Sequence, residues 1–347
     1  MSARLNRFVR WESLLAVTLI VVILLGAANS PFLLTPGDFS NLTIAVIEVS
    51  IMALPMSLVV IAGEIDLSVE SMVGLSSSLL GFLWMSGVPL WIGIPAVLLV
   101  GAGGGLFNGL LVTRGRLPSL VVTLGTLALY RGLALIVLGP QAVSQFPPAF
   151  TTFGFGTIPG TPIPWPLVVF VLLAIALGLL LHRTWIGREI FAIGKSPRAA
   201  AFSGVRVNRV KTSLFVLSGI VAALAGVILT ARFASARADA GQGMTLTVVT
   251  IVLLGGVNIF GGSGSIVGVV LAASTLAVLE NVLILAGVSA DVQSIVVGLL
   301  LIVSVGLPNA AHQVSQAVDR ARAGRAPPTG SVTPLVSSQQ VSRGGTR

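Results

Sequence analysis

The chain has 347 residues, 55% of them hydrophobic and only 9% charged, too little polar surface for the soluble domains that such a length would hold. Twenty Lys and Arg against eleven Asp and Glu give a net charge of +9, but the basic residues fall in short stretches between long apolar runs, which excludes the basic, aromatic-interleaved face of a nucleic-acid binder. There is no Cys, and the two His, His182 and His312, stand far apart, so neither a metal site, a disulfide nor a catalytic thiol is expected, and no cofactor.

A helix needs about 20 mostly apolar residues to cross ~30 Å of hydrocarbon. Ten windows of that kind run along the chain, at 13–28, 42–62, 67–85, 90–112, 120–138, 167–181, 212–231, 246–259, 265–286 and 292–307. The first follows Arg4, Arg7 and Arg10; it is too long for a secretory signal and lacks a small-residue cleavage site, so it reads as a retained span with its N-terminus inside. The expected fold class is all-α: a polytopic membrane helix bundle of about ten transmembrane helices, with residues 1–12 and 308–347 cytoplasmic, 13–307 the transmembrane domain, and the tail largely disordered.

Counting from an inside N-terminus, cytoplasmic connections should hold the Lys and Arg. Arg114 and Arg116 fall between spans four and five. Arg183, Arg188, Lys195, Arg198, Arg206, Arg209 and Lys211 fall between six and seven, and Arg320, Arg322, Arg325, Arg343 and Arg347 in the tail. With the three N-terminal arginines these make seventeen of the twenty basic residues. Arg232 and Arg237 fall outside, and Arg131 lies within a span.

Span two carries Glu48, and Arg131 lies on span five, which runs in the opposite sense. At 1.5 Å per residue both come about 10 Å from the outer boundary, which makes Glu48 and Arg131 a candidate buried ion pair; the alternative is that each turns to a different polar neighbour or a water-filled cavity. Between spans two and three, Gly63-Glu64-Ile65-Asp66-Leu67-Ser68-Val69-Glu70 places three carboxylates among apolar flanks, where they need partners. Asp66 is expected to cap span three. A similar glycine-rich stretch, 255–264, precedes Ser265-Ile266-Val267-Gly268, which echoes Ser71-Met72-Val73-Gly74 and suggests a duplicated helix unit.

In span four Gly101, Gly105 and Gly109 recur every fourth residue, a pattern for close helix packing or, alternatively, for lining a pore. The outer connection 139–166 is uncharged and rich in proline, and is expected to be an extended loop. Gly194-Lys195-Ser196 fails as a phosphate loop because Glu189 stands where the first glycine belongs, so the chain should not hydrolyse ATP itself. The same region specifies a very short helix: Ser196 to cap, Pro197 at the first position, Ala199, Ala200 and Ala201 within, and Gly204 to stop it. It is either an ordered loop or a rigid knob that projects Phe202 and the alanine face into a soluble partner, with Arg198 pairing an acidic rim.

The Gly-x-Ile-Asp-Leu-Ser-Val stretch resembles the ribose and autoinducer-2 class of ABC permeases, as do Val122-Thr123-Leu124-Gly125-Thr126 with Arg131-Gly132-Leu133-Ala134, Gly187-Arg188 with Ala192-Ile193-Gly194, and Gly255-Gly256 with the later Gly-Gly-Ser-Gly-Ser. The resemblance covers residues 11–307. It implies a bacterial inner-membrane, binding-protein-dependent import subunit for a monosaccharide-like solute, embedded in lipid. Its partners would be a second permease subunit, identical or not, a cytoplasmic ATPase with two nucleotide-binding domains and a periplasmic solute-binding protein. Residues 197–204 would be its coupling helix, within a cytoplasmic coupling loop 183–211. Glu64, Asp66, Ser68, Thr123, Thr126 and Asn258 are candidate translocation or gating residues. Ser235-Ala236-Arg237-Ala238-Asp239 and the 258–266 stretch are most similar to D-type autoinducer-2 permeases, whereas the acidic Glu64 is similar to rhamnose-type ones; autoinducer-2 is the expected solute, with rhamnose or ribose as alternatives. An ion-coupled secondary transporter is the rival class, and would carry ionisable residues within its spans, where this chain has only Glu48, Arg131 and Glu280.

Overall fold

The computed structural model describes residues 2–33 and 35–303, with side chains from residue 11 onward. The expected tail, 308–347, lies outside the described residues. The helices are α1 (Ser2–Asn29), α2 (Pro36–Ile61), α3 (Val69–Met85), α4 (Leu90–Thr113), α5 (Ser119–Leu138), α6 (Pro148–Phe155), α7 (Trp165–Arg183), α8 (Trp185–Lys195), α9 (Pro197–Phe202), α10 (Val207–Phe233), α11 (Met244–Leu254) and α12 (Ile266–Leu285), followed by α13 (Ala290–Val303). No strand occurs among the described residues. The helices α1, α2, α4, α5, α7, α10 and α12 are long and apolar enough to cross a membrane, and α3, α11 and α13 are shorter apolar helices. Each of the ten apolar windows falls on one of these.

Burial ranks the helices. The apolar windows of α2 and α10 are 89% and 78% buried, against 11% for α1, so α2 and α10 form the axis and α1 lies at the periphery. α10 packs along α4, α3 and α2; α2 also meets α11, α7 and α12; α5 packs on α3, and α1 on α12. The α4 glycines explain the closest of these contacts. A Cβ on Gly101 would stand 2.5 Å from the Gly219 carbonyl, one on Gly105 would fall on the Phe215 carbonyl, and one on Gly109 would lie 2.9 Å from the Thr212 Cα. Two backbones touch along this seam, which is what small residues at helix spacing permit in a bundle without a hydrophobic driving force. Close packing is therefore the role these glycines fill.

One capping device ends several of the helices. α2, α3, α11 and α12 each stop at a glycine in the left-handed region: Gly63, Gly87, Gly256 and Gly287, with φ between 73° and 81°. In each, the next amide reaches back five residues, Glu64 N to Val59 O (3.1 Å), Val88 N to Leu83 O (2.9 Å), Val257 N to Val252 O (3.3 Å) and Val288 N to Leu283 O (2.9 Å). This is the glycine-terminated cap that satisfies orphan carbonyls. α9 and α10 end in the same way, at Gly204 and Ala234, with Val205 N on Ala200 O and Ser235 N on Thr230 O (both 3.1 Å).

Two connections are more ordered than expected. The 139–166 stretch holds α6, because Pro147 and Pro148 preset the first turn, and Gly154 lets α6 lie against the backbone of Ala231 and Arg232 in α10. The basic connection after α7 opens with α8, whose buried face is Gly187, Ile190 and Ile193.

Candidate functional site

The turn after α2 is a hub. Glu64 pairs with Lys211 of α10, both side chains 13% exposed. Ile65 N donates to Ser119 Oγ (3.2 Å) and its carbonyl accepts from Thr123 Oγ1 (3.4 Å), at the start of α5. Asp66 is fully enclosed and accepts from Ser68 N (3.1 Å), Ser68 Oγ (2.6 Å) and Ser218 Oγ of α10 (2.8 Å). Asn108 of α4 donates to Ser68 Oγ (2.9 Å), and Tyr130 of α5, the chain's single tyrosine, donates to Asn108 Oδ1 (3.2 Å) and Gly104 O (2.8 Å). Glu70 accepts from Thr245 N (3.1 Å) in the first turn of α11, where an anion complements the helix dipole. The carboxylates thus tie this turn to α10 and α11, while Ser68 ties it to α4 and the Ile65 backbone to α5.

Asp66 does not cap α3. The N-cap is Ser68, which makes no side-chain cap bond, and Asp66 instead bridges that serine to α10. Burial lifts its carboxyl above the usual range, opposed by hydrogen bonds from Ser68 and Ser218, as expected of an acid held by hydroxyls in place of a cation. Thr123 and Thr126 are buried and bond within α5, Thr123 to Ser119 O (2.8 Å) and Thr126 to Val122 O (3.1 Å). Asn258 is exposed and closes its own loop, accepting from Phe260 N at 3.0 Å. That loop still reaches the hub, since Gly262 N donates to Ile61 O (2.8 Å) and a Cβ on Gly261 would stand 3.0 Å from the Gly63 backbone.

α8 and α9 join the same place. A Cβ on Gly194 would fall on the Ile61 carbonyl, so this glycine serves a backbone contact. Ser196 caps α9 by accepting from Ala199 N (3.3 Å), Pro197 is in the first turn, and Gly204 stops it with φ 85°. Phe202 is 93% exposed and Ala200 5%. The alanine face is thus split: Ala199 and Ala201 stand with Pro197, Arg198 and Phe202 on the exposed side, while Ala200 packs into the bundle core.

Glu48 and Arg131 do not pair. α2 packs along α10 whereas α5 packs on α3, and each side chain meets a different neighbour. Glu48, 1% exposed, pairs with Arg232 at the end of α10 (2.8 Å). Arg232 also donates to the Ile44 carbonyl and to Ala45 O (3.3 Å), and lies over the Phe233 ring at 4.7 Å. Arg131 donates to Ala238 O and to Ala240 O (3.2 Å) in the segment between α10 and α11. Opposed charges at matching depth were visible in the sequence; which helices touch was not.

The family described as "Branched-chain amino acid transport system / permease component" matches residues 39–305. The chain is 40% identical to the autoinducer 2 import system permease protein LsrD of Escherichia coli K12 over 301 residues, 85% of this chain and 91% of that one. The same figures hold for LsrD of Shigella flexneri, and LsrD of Escherichia coli O157:H7 is 39% identical. No solved structure matches the chain.

Proposed function

The chain belongs to the branched-chain amino acid transport system permease family and is a multi-pass inner-membrane subunit of an ABC importer for a sugar-like solute, and we propose that the solute is autoinducer-2. The observation that carries this is 40% identity spread over nearly the whole of the autoinducer-2 permeases. The acidic Glu64, which favoured a rhamnose-type solute, is engaged by Lys211 and is not free to select a sugar.

In this reading ten helices cross the membrane, and residues 1–12 and the 183–211 connection face the cytoplasm. An ATPase with two nucleotide-binding domains docks on α9, a second permease subunit completes the pathway, and a periplasmic binding protein delivers the solute. The exposed Phe202 offers the apolar anchor, and Ser196 and Gly204 keep the helix stiff. Motion of α9 passes to α8 and α10, and from them through Gly194 and Lys211 into the turn holding Glu64, Asp66 and Ser68. That turn also grips α5 through Thr123 and the neighbouring 255–264 loop with Asn258, so one push at α9 reaches both connections.

Uptake by cells expressing the full importer tests the solute. Accumulation of autoinducer-2 above ribose, rhamnose and leucine is expected; preferential leucine uptake would show that the family description, and not the relatives' names, gives the substrate. Labelling of Ser203→Cys from the periplasmic side of intact cells would overturn the topology.

A further inference from the structure

Between α10 and α11 the chain does not form a helix, yet it runs alongside α3. A Cβ on Gly81 would stand 2.6 Å from the Ala236 Cβ, Arg237 N donates to Ser77 Oγ (3.1 Å), a Cβ on Gly74 would lie 2.8 Å from Ala238 O, and Gly241 lies against Val73. Ser77 is eight residues from the end of α3 and Gly74 eleven, so the segment descends about 12–16 Å beside the helix. Exposure alternates over residues 236–239: Ala236 and Ala238 are buried, at 0% and 4%, while the side chains of Arg237 and Asp239 are 57% and 52% exposed. The inward carbonyls are taken up by Arg131, and Val143 pairs with Ala236.

Non-helical backbone at membrane depth is tolerated where protein buries it or where it lines water. Here protein buries one face. The other presents an ion pair, Arg237 Nε to Asp239 Oδ1 (2.8 Å) and Nη2 to Oδ2 (2.6 Å), which is costly against hydrocarbon. We infer that residues 234–243 form a re-entrant segment lining an aqueous path, and that Arg237 and Asp239 are a binding station for a polyhydroxylated solute. The inference rests on the translocation reading above, with α3 among the spans. A carboxylate offers only acceptors and a guanidinium only donors. With two oxygens each taking one bond from Arg237, Asp239 keeps lone pairs for neighbouring hydroxyl groups, and Arg237 keeps Nη1 for a ring or carbonyl oxygen. Both side chains project on the exposed side of a turn that the Ala240 amide closes onto Arg237 O (3.4 Å), so donor and acceptor are offered together.

The native chain lacks Cys, so Gln242→Cys, exposed beside the pair, is a reporter in the assembled importer. It should react with a water-soluble cationic methanethiosulfonate, and saturating solute should slow that reaction at least fivefold. Adding Asp239→Asn should abolish the protection and lower uptake at least tenfold while the ATPase still copurifies. Should that variant fail to assemble, Arg237→Gln with Asp239→Asn removes the pair without leaving a lone charge and should give the same losses. Reaction with membrane-permeant maleimide but not with the water-soluble reagent would overturn the aqueous path, and labelling indifferent to solute would overturn the station. Protection is measured with whichever of autoinducer-2, ribose, rhamnose or leucine the unmodified importer accumulates; failure of the autoinducer-2 reading thus shows in that uptake, and failure of the station in the labelling. Accumulation of leucine above all three polyols would overturn the solute class.

Discussion

Lys211 of α10 holds Glu64 in the turn after α2, which ties the helix that follows α9 to the segment joining α2 to α3. Both side chains are mostly enclosed, so their attraction is screened less than at a surface, and a lone charge there is the costly state. Lys211→Met is therefore expected to lose roughly 1–3 kcal/mol of stability and most coupled uptake, and the exchange Lys211→Glu with Glu64→Lys to recover part of both. Thermal unfolding and transport in the four corners of the cycle measure this. Additive losses would leave the pair without a coupling role.

The two faces of α9 predict opposite phenotypes. Phe202→Ala or Ala201→Glu alters only the exposed side, so the subunit should insert at normal levels and lose ATPase copurification, by about 2–4 kcal/mol if Phe202 is an interface anchor. Ala200→Glu instead drives a carboxylate into the core and should lower the amount of folded protein. Normal ATPase retention by Phe202→Ala would place the docking surface elsewhere.

Much of this was legible because the physics is local. Ser196, Pro197 and Gly204 determine a short helix by capping alone, and every apolar window found a helix. Gly101, Gly105 and Gly109 declared a packing seam through spacing, though not that its partner is α10. What failed depended on helix neighbours: Glu48 found Arg232 because α2 lies on α10, and Asp66 reached Ser218 across the bundle in place of capping its own helix. Lys211, Ser218, Asn108 and Tyr130 carry no motif, and only contact identifies them. The re-entrant segment was hidden because its alternation, Ala-Arg-Ala-Asp, is four residues long between two apolar helices.

The glycine seam offers an internal control on a single helix. Gly105→Ala sets a methyl on the Phe215 carbonyl and should cost roughly 1–3 kcal/mol by forcing α4 from α10. Gly103→Ala meets nothing within 4 Å and should be neutral or slightly stabilising through helix propensity. Melting temperatures of the two purified variants separate the cases, and equal shifts would refute the seam.

Burial raises the Asp66 carboxyl, so the folded chain holds that proton more tightly than the unfolded chain. Stability from this group then falls as pH rises across the interval between the unfolded and folded values, and is flat above it. Asp66→Asn fixes a neutral group that can accept from Ser68 and donate to Ser218. Its melting temperature at pH 8 should match or exceed that of the unmodified protein, with the advantage shrinking toward pH 5. A variant less stable at pH 8 than at pH 5, relative to the unmodified protein, would show that the charged form is the favoured one.

Two arginines, Arg232 and Arg131, are rival partners for Glu48. Glu48 is almost completely enclosed, while Arg232 is 19% exposed and also bonds to the carbonyls of Ile44 and Ala45. Removing the arginine strands a buried carboxylate, whereas removing the carboxylate leaves a cation that keeps backbone acceptors. Arg232→Gln should therefore cost about 3–5 kcal/mol, Glu48→Gln clearly less, and the double variant about as much as Glu48→Gln alone. Arg131 serves carbonyls of the re-entrant segment, so Arg131→Gln should add to Glu48→Gln without coupling, as for sites with no shared partner. Folded yield and melting temperature across both cycles decide between the pairs: coupling to Arg232 and none to Arg131 is the expected pattern, and the reverse would mean that α2 and α5 approach each other in the membrane.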